Sequence, residues 1–508
     1  MTDYEAGVKN QDLSPGDRAS HDPLIFFSVL GLVVVILLAT IINRQAVGTV
    51  LYAAQDTIVE LFAWGFSLTV SILLLFSLAL AFSRYGRIRL GPDGSQPEFN
   101  LLAWVSMLFS AGMGIGLVFF GVAEPALHFL APLHSEPETA SAAKEALQRS
   151  IFHWGLHAWA IYAVIGMALA FCHFRQGHPL SIRSTLTPLL GRWTHRWPGK
   201  VIDIFAVLGT LFGLATSLGL GAAQINAGLD VLFGVNQDIN IQILIIIMIT
   251  FCATLSLVLG LKKGIRRLSE FNMALALMLV LFVLIVGPTR TLLANLPVYL
   301  GNYLQGFPGL SMENPYNNLE WQKSWTVFYW AWWMSWSPFV GMFIARISRG
   351  RTIREFIIGV LIAPTLLSVV WFGIFGGAAM QFELAGTASV TEAVQANSAT
   401  AIYALMGNFS FPHIASWVTM FLVAIFFITS SDSGSFVVDM LTSGGHPSPP
   451  VWQRVFWACT EGLIAIILLL IGGLSALQAG VVSMGFPFCL ILLALTYCIV
   501  LQLKNENP

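Results

Sequence analysis

WTVFYWAWWMSWSPFVGMFIARISRGRTIR, residues Trp325 to Arg354, carries five tryptophans in an apolar segment that ends in four arginines. At helical spacing Trp332 and Trp336 share one stripe of this segment. Trp330 and Trp333 share the neighbouring stripe. Because indole faces are the best protein surface for a cation without hydrogen-bond donors, the segment favours a site for a quaternary ammonium group. Lipid-facing anchoring and packing are the alternative interpretation.

The composition is that of an integral membrane protein. Of the 508 residues, 56% are hydrophobic and only 10% are charged, and the mean hydropathy is +0.76. A soluble domain carries roughly a quarter charged residues. The net charge of −1 gives no reason to expect a nucleic-acid partner. The five cysteines lack the spacing of a metal site, so packing is their expected role.

Runs of about 20 apolar residues predict twelve membrane-spanning helices. They cover approximately residues 24–42, 61–82, 101–120, 151–173, 203–222, 241–261, 271–288, 325–345, 356–379, 414–440, 455–474 and 481–501. With both termini in the cytoplasm, most of the 25 Lys and Arg residues fall in cytoplasmic segments. The polar, acidic N-terminus has no basic region or cleavage site of a signal peptide, so we expect a cytoplasmic tail.

Two spans contain predicted helix breaks. In span 3, Gly112, Gly114 and Gly116 recur at every second residue, which suits close helix approach or an unwound backbone. Span 8 contains Ser335-Trp336-Ser337-Pro338, where proline removes a backbone donor. Secondary transporters place substrate and ion sites at interrupted helices in corresponding positions of two repeats. Spans 3–7 and 8–12 would then be an inverted repeat, with spans 1 and 2 as an addition.

The predicted organisation follows from these breaks and spans. It comprises a cytoplasmic tail (1–23), two N-terminal helices (24–100), the first repeat (101–288), an outer loop with an amphipathic interfacial helix (289–324), the second repeat (325–501) and a short cytoplasmic tail (502–508). Residues 121–150 are expected to form another outer loop.

Polar residues are rare in the predicted spans. Span 4 adds aromatic residues at Trp154, Trp159 and Tyr162, and its His153 and His157 are expected to be packing histidines rather than metal ligands. Span 10 is interrupted by Thr429-Ser430-Ser431-Asp432-Ser433, whose oxygens suit Na⁺ or helix-capping hydrogen bonds. Apart from Asp432 the spans are expected to be almost uncharged, which disfavours a proton pump built from buried carboxylates.

Several motifs resemble the betaine/carnitine/choline transporter family, in particular its bacterial choline/glycine betaine branch. They are GMGIGLVFFGVAEP, FHWGLHAWAIYA, GLATSLGLGAAQINAGL, YWAWWMSWSPFVGMFIARISRGRTIREF and TSSDSG, and they extend over nearly the whole chain. The resemblance implies an all-α polytopic membrane protein with twelve transmembrane helices and a LeuT-like five-plus-five inverted repeat. It also implies a homotrimer and a substrate with a trimethylammonium or related group.

The resemblance also assigns sites. It places an aromatic box at Trp154, Trp159, Tyr162 and Trp333, further path tryptophans at Trp332 and Trp336, and glycines of the substrate region at Gly112, Gly114 and Gly116. It places one sodium site at Ser110, Met113, Phe426, Thr429 and Ser430, and a second at Thr210 and Phe339. Leu214 stands where that second site should have another threonine. Gly116 fits the betaine-type, sodium-coupled pattern, whereas the choline-type, proton-coupled relatives often carry Asp there.

The expected function is symport of choline or glycine betaine, driven by Na⁺ or H⁺, for osmoprotection or betaine synthesis in a bacterial inner membrane. No cofactor and no enzymatic activity are expected, since neither a phosphate loop nor a hydrolase constellation occurs. A carnitine or sulfonium transporter or exchanger, and a substrate-gated channel or sensor, are the alternatives. Asp432 is expected to pair with Arg346 as an inner gate.

Overall fold

The computed structural model describes residues 22–112, 114–258, 262–387, 390–446 and 449–506. The principal helices are α1 (Pro23–Phe82), α2 (Leu101–Gly112), α3 (Ile115–Leu130), α4 (Ala140–His153), α5 (Leu156–Ala170), α6 (Trp197–Phe233), α7 (Ile239–Val258), α8 (Lys262–Val286), α9 (Thr289–Ser311), α10 (Thr326–Arg346), α11 (Ile353–Trp371), α12 (Pro412–Thr442) and α13 (Val451–Leu503). Shorter helices include Ile182–Thr185, Thr187–Leu190, Leu319–Ser324, Gly377–Leu384, Val390–Ala396 and Ala401–Gly407.

In the described part of the chain, eight helices are long and apolar enough to cross a membrane. Two of them bend. Helix α1 has non-helical backbone at Asn43, and α13 has it at Gly472 and Gly473, where the φ of +60° at Gly473 suits glycine. Each of these two helices therefore contains two of the predicted spans. The all-α, polytopic architecture is confirmed, while the count of twelve crossings and the repeat symmetry stay predictions.

The tryptophan-rich helix α10 lies inside the protein. Trp330, Trp332, Trp333 and Trp336 are at most 6% exposed, and the helix packs against α5, α6 and α13. Lipid-facing anchoring is therefore excluded for these four side chains. Two of the four indole N–H groups, those of Trp332 and Trp333, reach backbone carbonyl groups outside α10.

The predicted break in span 3 is confirmed. Helix α2 ends at Gly112 and α3 begins at Ile115, and Gly114 between them has φ −143° and ψ −147°. The side chain of Ser110, and Met113 entirely, lie outside the described residues. Since α3 runs on to Leu130, the expectation of an outer loop from residue 121 is wrong. The chain after Gly116 stays helical, and Glu124 in this part of α3 is buried inside the protein.

The predicted break in span 8 is wrong, because α10 is a continuous helix through Pro338. Proline deprives the Met334 carbonyl of its usual N–H donor four residues later. The Ser337 hydroxyl donates to that carbonyl at 2.7 Å and so replaces the missing donor. Ser335 donates instead to the Gly209 carbonyl at 2.8 Å, which fastens α10 to α6.

The predicted interruption of span 10 is also wrong, because α12 runs unbroken from Pro412 to Thr442. The Thr429 hydroxyl donates to the Ile425 carbonyl at 2.9 Å, and the Ser435 hydroxyl donates to Ser431 at 2.7 Å. Hydroxyl groups that bond back to the preceding turn are satisfied inside the helix. Clustered hydroxyls therefore do not open this helix.

Residues Thr289–Ser311 form the helix α9 that the periodicity of the outer loop predicted. It packs on α4, where the Gln148 amide donates to the Asn302 carbonyl at 2.6 Å. Its buried Tyr303 hydroxyl accepts the Leu156 N–H at 3.1 Å, at the first turn of α5. The outer segment is thus attached to the helix that carries Trp159 and Tyr162.

Candidate substrate site

Four predicted box residues form a connected set of aromatic contacts between α5, α10 and the turn before α5. The Trp154 and Trp333 rings lie 4.7 Å apart at 73°. Tyr162 lies 6.4 Å from Trp333 and 5.4 Å from Trp159, again edge to face. The sequence positions differ by up to 179 residues, so the fold has to bring them together. Several π faces at one place are what a quaternary ammonium group requires.

The additional tryptophans extend this aromatic cage along α10. Trp332 stacks on Trp333 with centroids 4.9 Å apart and planes at 11°. Trp336 follows one turn later, 6.4 Å from Trp332, and it contacts Phe339 at 5.6 Å. The predicted stripe of indoles is therefore present, and it faces protein on all described sides.

Gly116 lets helix α3 approach the cage. A Cβ atom at this position would lie 2.8 Å from the Trp332 ring and 2.9 Å from the Trp154 ring. Real Cβ atoms do not approach other atoms this closely, so the site has no room for a larger residue unless the indoles move. Gly114 lies beside α12, with a Cβ there 3.8 Å from the Ser430 hydroxyl.

Hydrogen bonds fix the indoles of the cage at their N–H edges. The Trp333 Nε1 donates to the His153 carbonyl at 2.9 Å, and the Trp332 Nε1 to the Gly213 carbonyl at 3.4 Å. The Tyr162 hydroxyl and the Trp336 Nε1 are buried and have no hydrogen-bond partner among the described residues. Buried donors without partners are costly, so these two are suited to a ligand that carries an acceptor.

A carboxylate that the sequence reasoning missed lies behind the cage. Glu124 of α3 is fully buried, and its Oε2 accepts the Trp154 Nε1–H at 3.0 Å and the Tyr329 hydroxyl. Its Oε1 lies 2.7 Å from His153 Nδ1 and 3.3 Å from His128 Nε2. The available signal was the pair Glu124 and His128, four residues apart in an apolar run that continues span 3.

Glu124, His128 and His153 are also the described residues that could offer three ligand atoms to one metal ion. Two ligands of a tetrahedral zinc ion lie about 3.3 Å apart, given metal–ligand bonds of about 2.0–2.1 Å. The 2.7 Å between Glu124 Oε1 and His153 Nδ1 is a hydrogen bond instead. Because His153 Nε2 also lies 3.0 Å from the Thr326 hydroxyl, the arrangement is a hydrogen-bonded cluster.

The predicted first sodium site is only partly described, since the Ser110 side chain and Met113 lie outside the described residues. On α12, Phe426 is buried, and Thr429 and Ser430 are partly buried. Ser430 lies opposite Gly114 at the helix break. The facing arrangement of span 3 and span 10 that this site requires is therefore present, and the ion site itself stays a prediction.

Comparison with known proteins decides the family. Residues 24–508 match the model described as BCCT, betaine/carnitine/choline family transporter. This chain belongs to the betaine/carnitine/choline transporter family. It is 43% identical over 515 residues to glycine betaine transporter 1 of Vibrio parahaemolyticus, covering 100% of this chain and 98% of the relative. It is 43% identical over 491 residues to the glycine betaine transporter OpuD of Bacillus subtilis, covering 96% and 95%.

A third member of the family, from Vibrio parahaemolyticus, is named a glycine betaine/proline/choline transporter. It is 42% identical over 524 residues, which cover 99% of this chain and 94% of the relative. The chain is therefore a membrane transporter and not an enzyme, and the predicted family is confirmed.

The predicted second sodium site, at Thr210 and Phe339, stays a prediction, and the structure describes the surroundings of Thr210 and Leu214. The Thr210 hydroxyl donates to the Ala206 carbonyl at 2.8 Å, within its own helix. Leu214 packs so tightly on Gly434 of α12 that a Cβ there would lie 2.2 Å from the leucine Cδ1. Methyl groups thus fill the space where the family pattern expects a hydroxyl ligand.

The predicted gate residues lie among further charged and aromatic groups. The Arg346 guanidinium lies 4.9 Å from the Phe436 ring, and Arg454 lies 4.6 Å from the same ring. Arg454 also pairs with Asp439, Nε to Oδ2, at 3.7 Å. The Asp432 Oδ1 is buried without a hydrogen-bond partner among the described residues. The pairing of Asp432 with Arg346 stays a prediction, with Arg454 as a second candidate partner.

Glu461 of α13 is another buried acid that the sequence reasoning missed. It is fully buried, and its Oε2 accepts the Ser435 hydroxyl at 3.2 Å. Together with Asp203 and Asp439, which are also fully buried in predicted spans, it shows that the expectation of almost uncharged spans is wrong. Glu461 was overlooked because a single carboxylate hardly changes the mean hydropathy of a span.

Proposed function

We propose that this transporter imports glycine betaine by sodium-coupled symport, with choline as the second candidate substrate. The observation that carries the proposal is the buried aromatic cage of Trp154, Trp159, Tyr162 and Trp333. A trimethylammonium group has no donors, so it gains from several π faces, each worth about 0.5–2 kcal/mol.

The rest of the cage supports glycine betaine over choline. Glycine betaine adds a carboxylate to the ammonium group, and a buried donor without a partner, Tyr162 or Trp336, would gain an acceptor from it. Choline adds only a hydroxyl, which needs fewer donors. Gly116 and the names of the relatives point to the same substrate.

Coupling to one Na⁺ fits the sequence and the helix arrangement. Ser430 lies beside the break at Gly114, where unwound backbone leaves carbonyl oxygens available to a hard cation. Leu214 removes a ligand from the second site. Proton coupling is the specific alternative, since Leu214 also fits the choline-type members that the sequence resembles.

The cellular setting is part of the proposal. We expect a homotrimer in a bacterial inner membrane, with both termini in the cytoplasm and a role in osmoprotection or betaine synthesis. The five-plus-five inverted repeat would let one bundle rock against the other around the break in span 3.

Uptake into proteoliposomes tests the function. Labelled glycine betaine and labelled choline are supplied under an inward sodium gradient, and separately under a proton gradient. Accumulation of glycine betaine above its outside concentration, and only with sodium, is the expected result. Equilibration without accumulation would indicate a channel, and accumulation of choline with protons alone would overturn both the substrate and the ion.

A further inference from the structure

The buried carboxylate Glu124 has no part in the cage contacts just proposed, yet it bonds to the edge of the cage. One oxygen accepts from Trp154 and Tyr329, and the other lies within hydrogen-bond distance of His153 and His128. Glu124 thereby joins the cage residue Trp154 to Tyr329, whose ring contacts Trp154 and Trp333.

The partners of Glu124 fix its charge state. Trp154 Nε1–H and the Tyr329 hydroxyl are donors, and indole offers no acceptor. His153 Nε2 faces the Thr326 hydroxyl, so His153 Nδ1 can carry the proton that is donated to Glu124. With the tautomer of His153 that carries its proton on Nδ1, both carboxyl oxygens of Glu124 accept hydrogen bonds, which is the ionised form. The cluster therefore places a negative charge directly behind the Trp154 ring.

That charge acts on the cage through Trp154 and Tyr329. A hydrogen bond from a donor to a carboxylate is charge-assisted, so it fixes the orientation of the indole strongly. Hydrogen bonds also polarise their partners in a low-dielectric interior, which makes the π face of the donor ring more negative. Tyr329 lies 5.8 Å from both Trp154 and Trp333, so the second hydrogen bond reaches the other wall of the cage.

We infer that Glu124 is a specificity-determining positioning residue, which holds Trp154 and Tyr329 and gives the cage its preference for a cationic head over a neutral head of the same shape. The inference rests on the proposed function, since it assumes that the cage receives a quaternary ammonium group. Glu124 itself does not need to touch the substrate.

The test compares choline with its neutral carbon isostere, in which a tert-butyl group replaces the trimethylammonium group. Both are titrated as competitors of labelled glycine betaine binding to the purified protein, in the wild type and in Glu124→Gln. The glutamine keeps the shape and one acceptor oxygen but loses the charge. We expect the preference for choline over the isostere to fall about tenfold, the size of one desolvated cation–π contact.

Three further variants separate positioning from a general loss of structure. Glu124→Asp keeps the charge and should retain most of the preference. Glu461→Gln removes another fully buried carboxylate whose described partners are Ser431 and Ser435, and it should leave the preference unchanged. If Glu124→Gln does not fold, Tyr329→Phe removes the hydroxyl that donates to Glu124, keeps the ring and all four cage residues, and should lower the preference in the same direction.

A double-mutant comparison tests whether Glu124 acts through Trp154. The effect of Glu124→Gln should persist in a Trp159→Phe background and become smaller in a Trp154→Phe background, where only the bond from Tyr329 remains. An unchanged preference in Glu124→Gln, or an equal loss in Glu461→Gln, would overturn the inference. Failure of the wild type to bind glycine betaine or choline would instead overturn the proposed function, so the two failures are distinguishable.

Discussion

Gly116 lies directly against Trp332, with only 2.8 Å between the ring and the place where a Cβ would stand. The same Cβ would meet Trp154 at 2.9 Å, so one glycine sets the position of two indoles. Gly116→Ala should displace them and raise the KM for glycine betaine by about tenfold, the loss of roughly one cation–π contact. Uptake kinetics in proteoliposomes measure the change.

The matched control for that substitution is Gly31→Ala in α1, where nothing lies within 4 Å of an added Cβ. It should leave the KM within about twofold of the wild type, since surface changes away from special features are nearly neutral. Equal KM values for Gly116→Ala and Gly31→Ala would show that the cage does not depend on the approach of α3.

Ser337 replaces the donor that Pro338 lacks, and its removal should destabilise α10. Ser337→Ala leaves the Met334 carbonyl unsatisfied in a buried helix, so we expect a loss of about 1–3 kcal/mol. Thermal unfolding in detergent is the measurement. Ser106→Ala, which removes an exposed hydroxyl bonded to the Leu102 carbonyl, should have almost no effect. Comparable losses in both variants would contradict the assigned role of Ser337.

The outer loop is tied to α4 by Glu313 and Arg149, whose two hydrogen bonds measure 2.9 and 3.0 Å. Burial by itself would raise the pKa of the Glu313 carboxyl, but Arg149 holds that pKa below its usual value of 4.5. A lowered pKa stabilises the folded state above pH 4.5, and this stabilisation disappears as the pH falls through the lowered pKa.

Glu313→Gln should therefore destabilise the protein at neutral pH, by on the order of 3 kcal/mol, because it leaves Arg149 buried without its full partner. The difference from the wild type should shrink as the pH falls below 4.5 in unfolding measurements. Glu320→Gln is the control, since Glu320 is exposed and its ion pair with Lys323 contributes little. If the difference in stability between Glu313→Gln and the wild type did not change with pH, the ion pair between Glu313 and Arg149 would not be its cause.

Leu214 indicates how many sodium ions accompany each substrate molecule. If uptake is coupled to sodium as proposed, the methyl groups of Leu214, which pack on Gly434, stand where the family pattern expects a hydroxyl ligand. The sodium dependence of uptake should then be hyperbolic, with a Hill coefficient of ~1. Initial uptake rates at graded sodium concentrations give the curve. A clearly sigmoidal curve would mean that a second sodium ion binds in spite of Leu214.

The gate hypothesis is tested by charge reversal. Asp432→Arg and Arg346→Asp should each reduce uptake strongly, and the double reversal should restore part of it if the two residues pair. Arg454→Asp combined with Asp432→Arg is the parallel experiment, because Arg454 lies on the same Phe436 ring. If uptake is restored only when Asp432→Arg is combined with Arg454→Asp, the gate partner of Asp432 is Arg454 and not Arg346.

Much of the architecture was predictable from composition and spacing, because the bilayer fixes the length and polarity of its helices. The break between Gly112 and Ile115 was also predictable, since glycines recur at every second position from Gly112 to Gly116. The unbroken course of α10 was not, because it depends on the direction in which the Ser337 hydroxyl points. A proline alone does not reveal whether a replacement donor is present.

The contacts of Glu124 could not be predicted from the sequence either. The predicted span ended before it, and its bond to Trp154 crosses from α3 to the turn before α5. No periodicity within one helix indicates a contact between two helices. The aromatic cage itself was found only because the tryptophans and the family motifs drew attention to α10.

The most direct test of the account is binding of glycine betaine to the purified protein, measured calorimetrically for the wild type, Trp333→Leu and Trp457→Leu. Both substitutions remove a buried tryptophan, but Trp457 lies outside the cage and donates to the Thr442 hydroxyl. We predict saturable binding for the wild type and Trp457→Leu, and a loss of binding of about tenfold or more for Trp333→Leu. Unchanged binding by Trp333→Leu would contradict the claim that the cage holds the quaternary ammonium group.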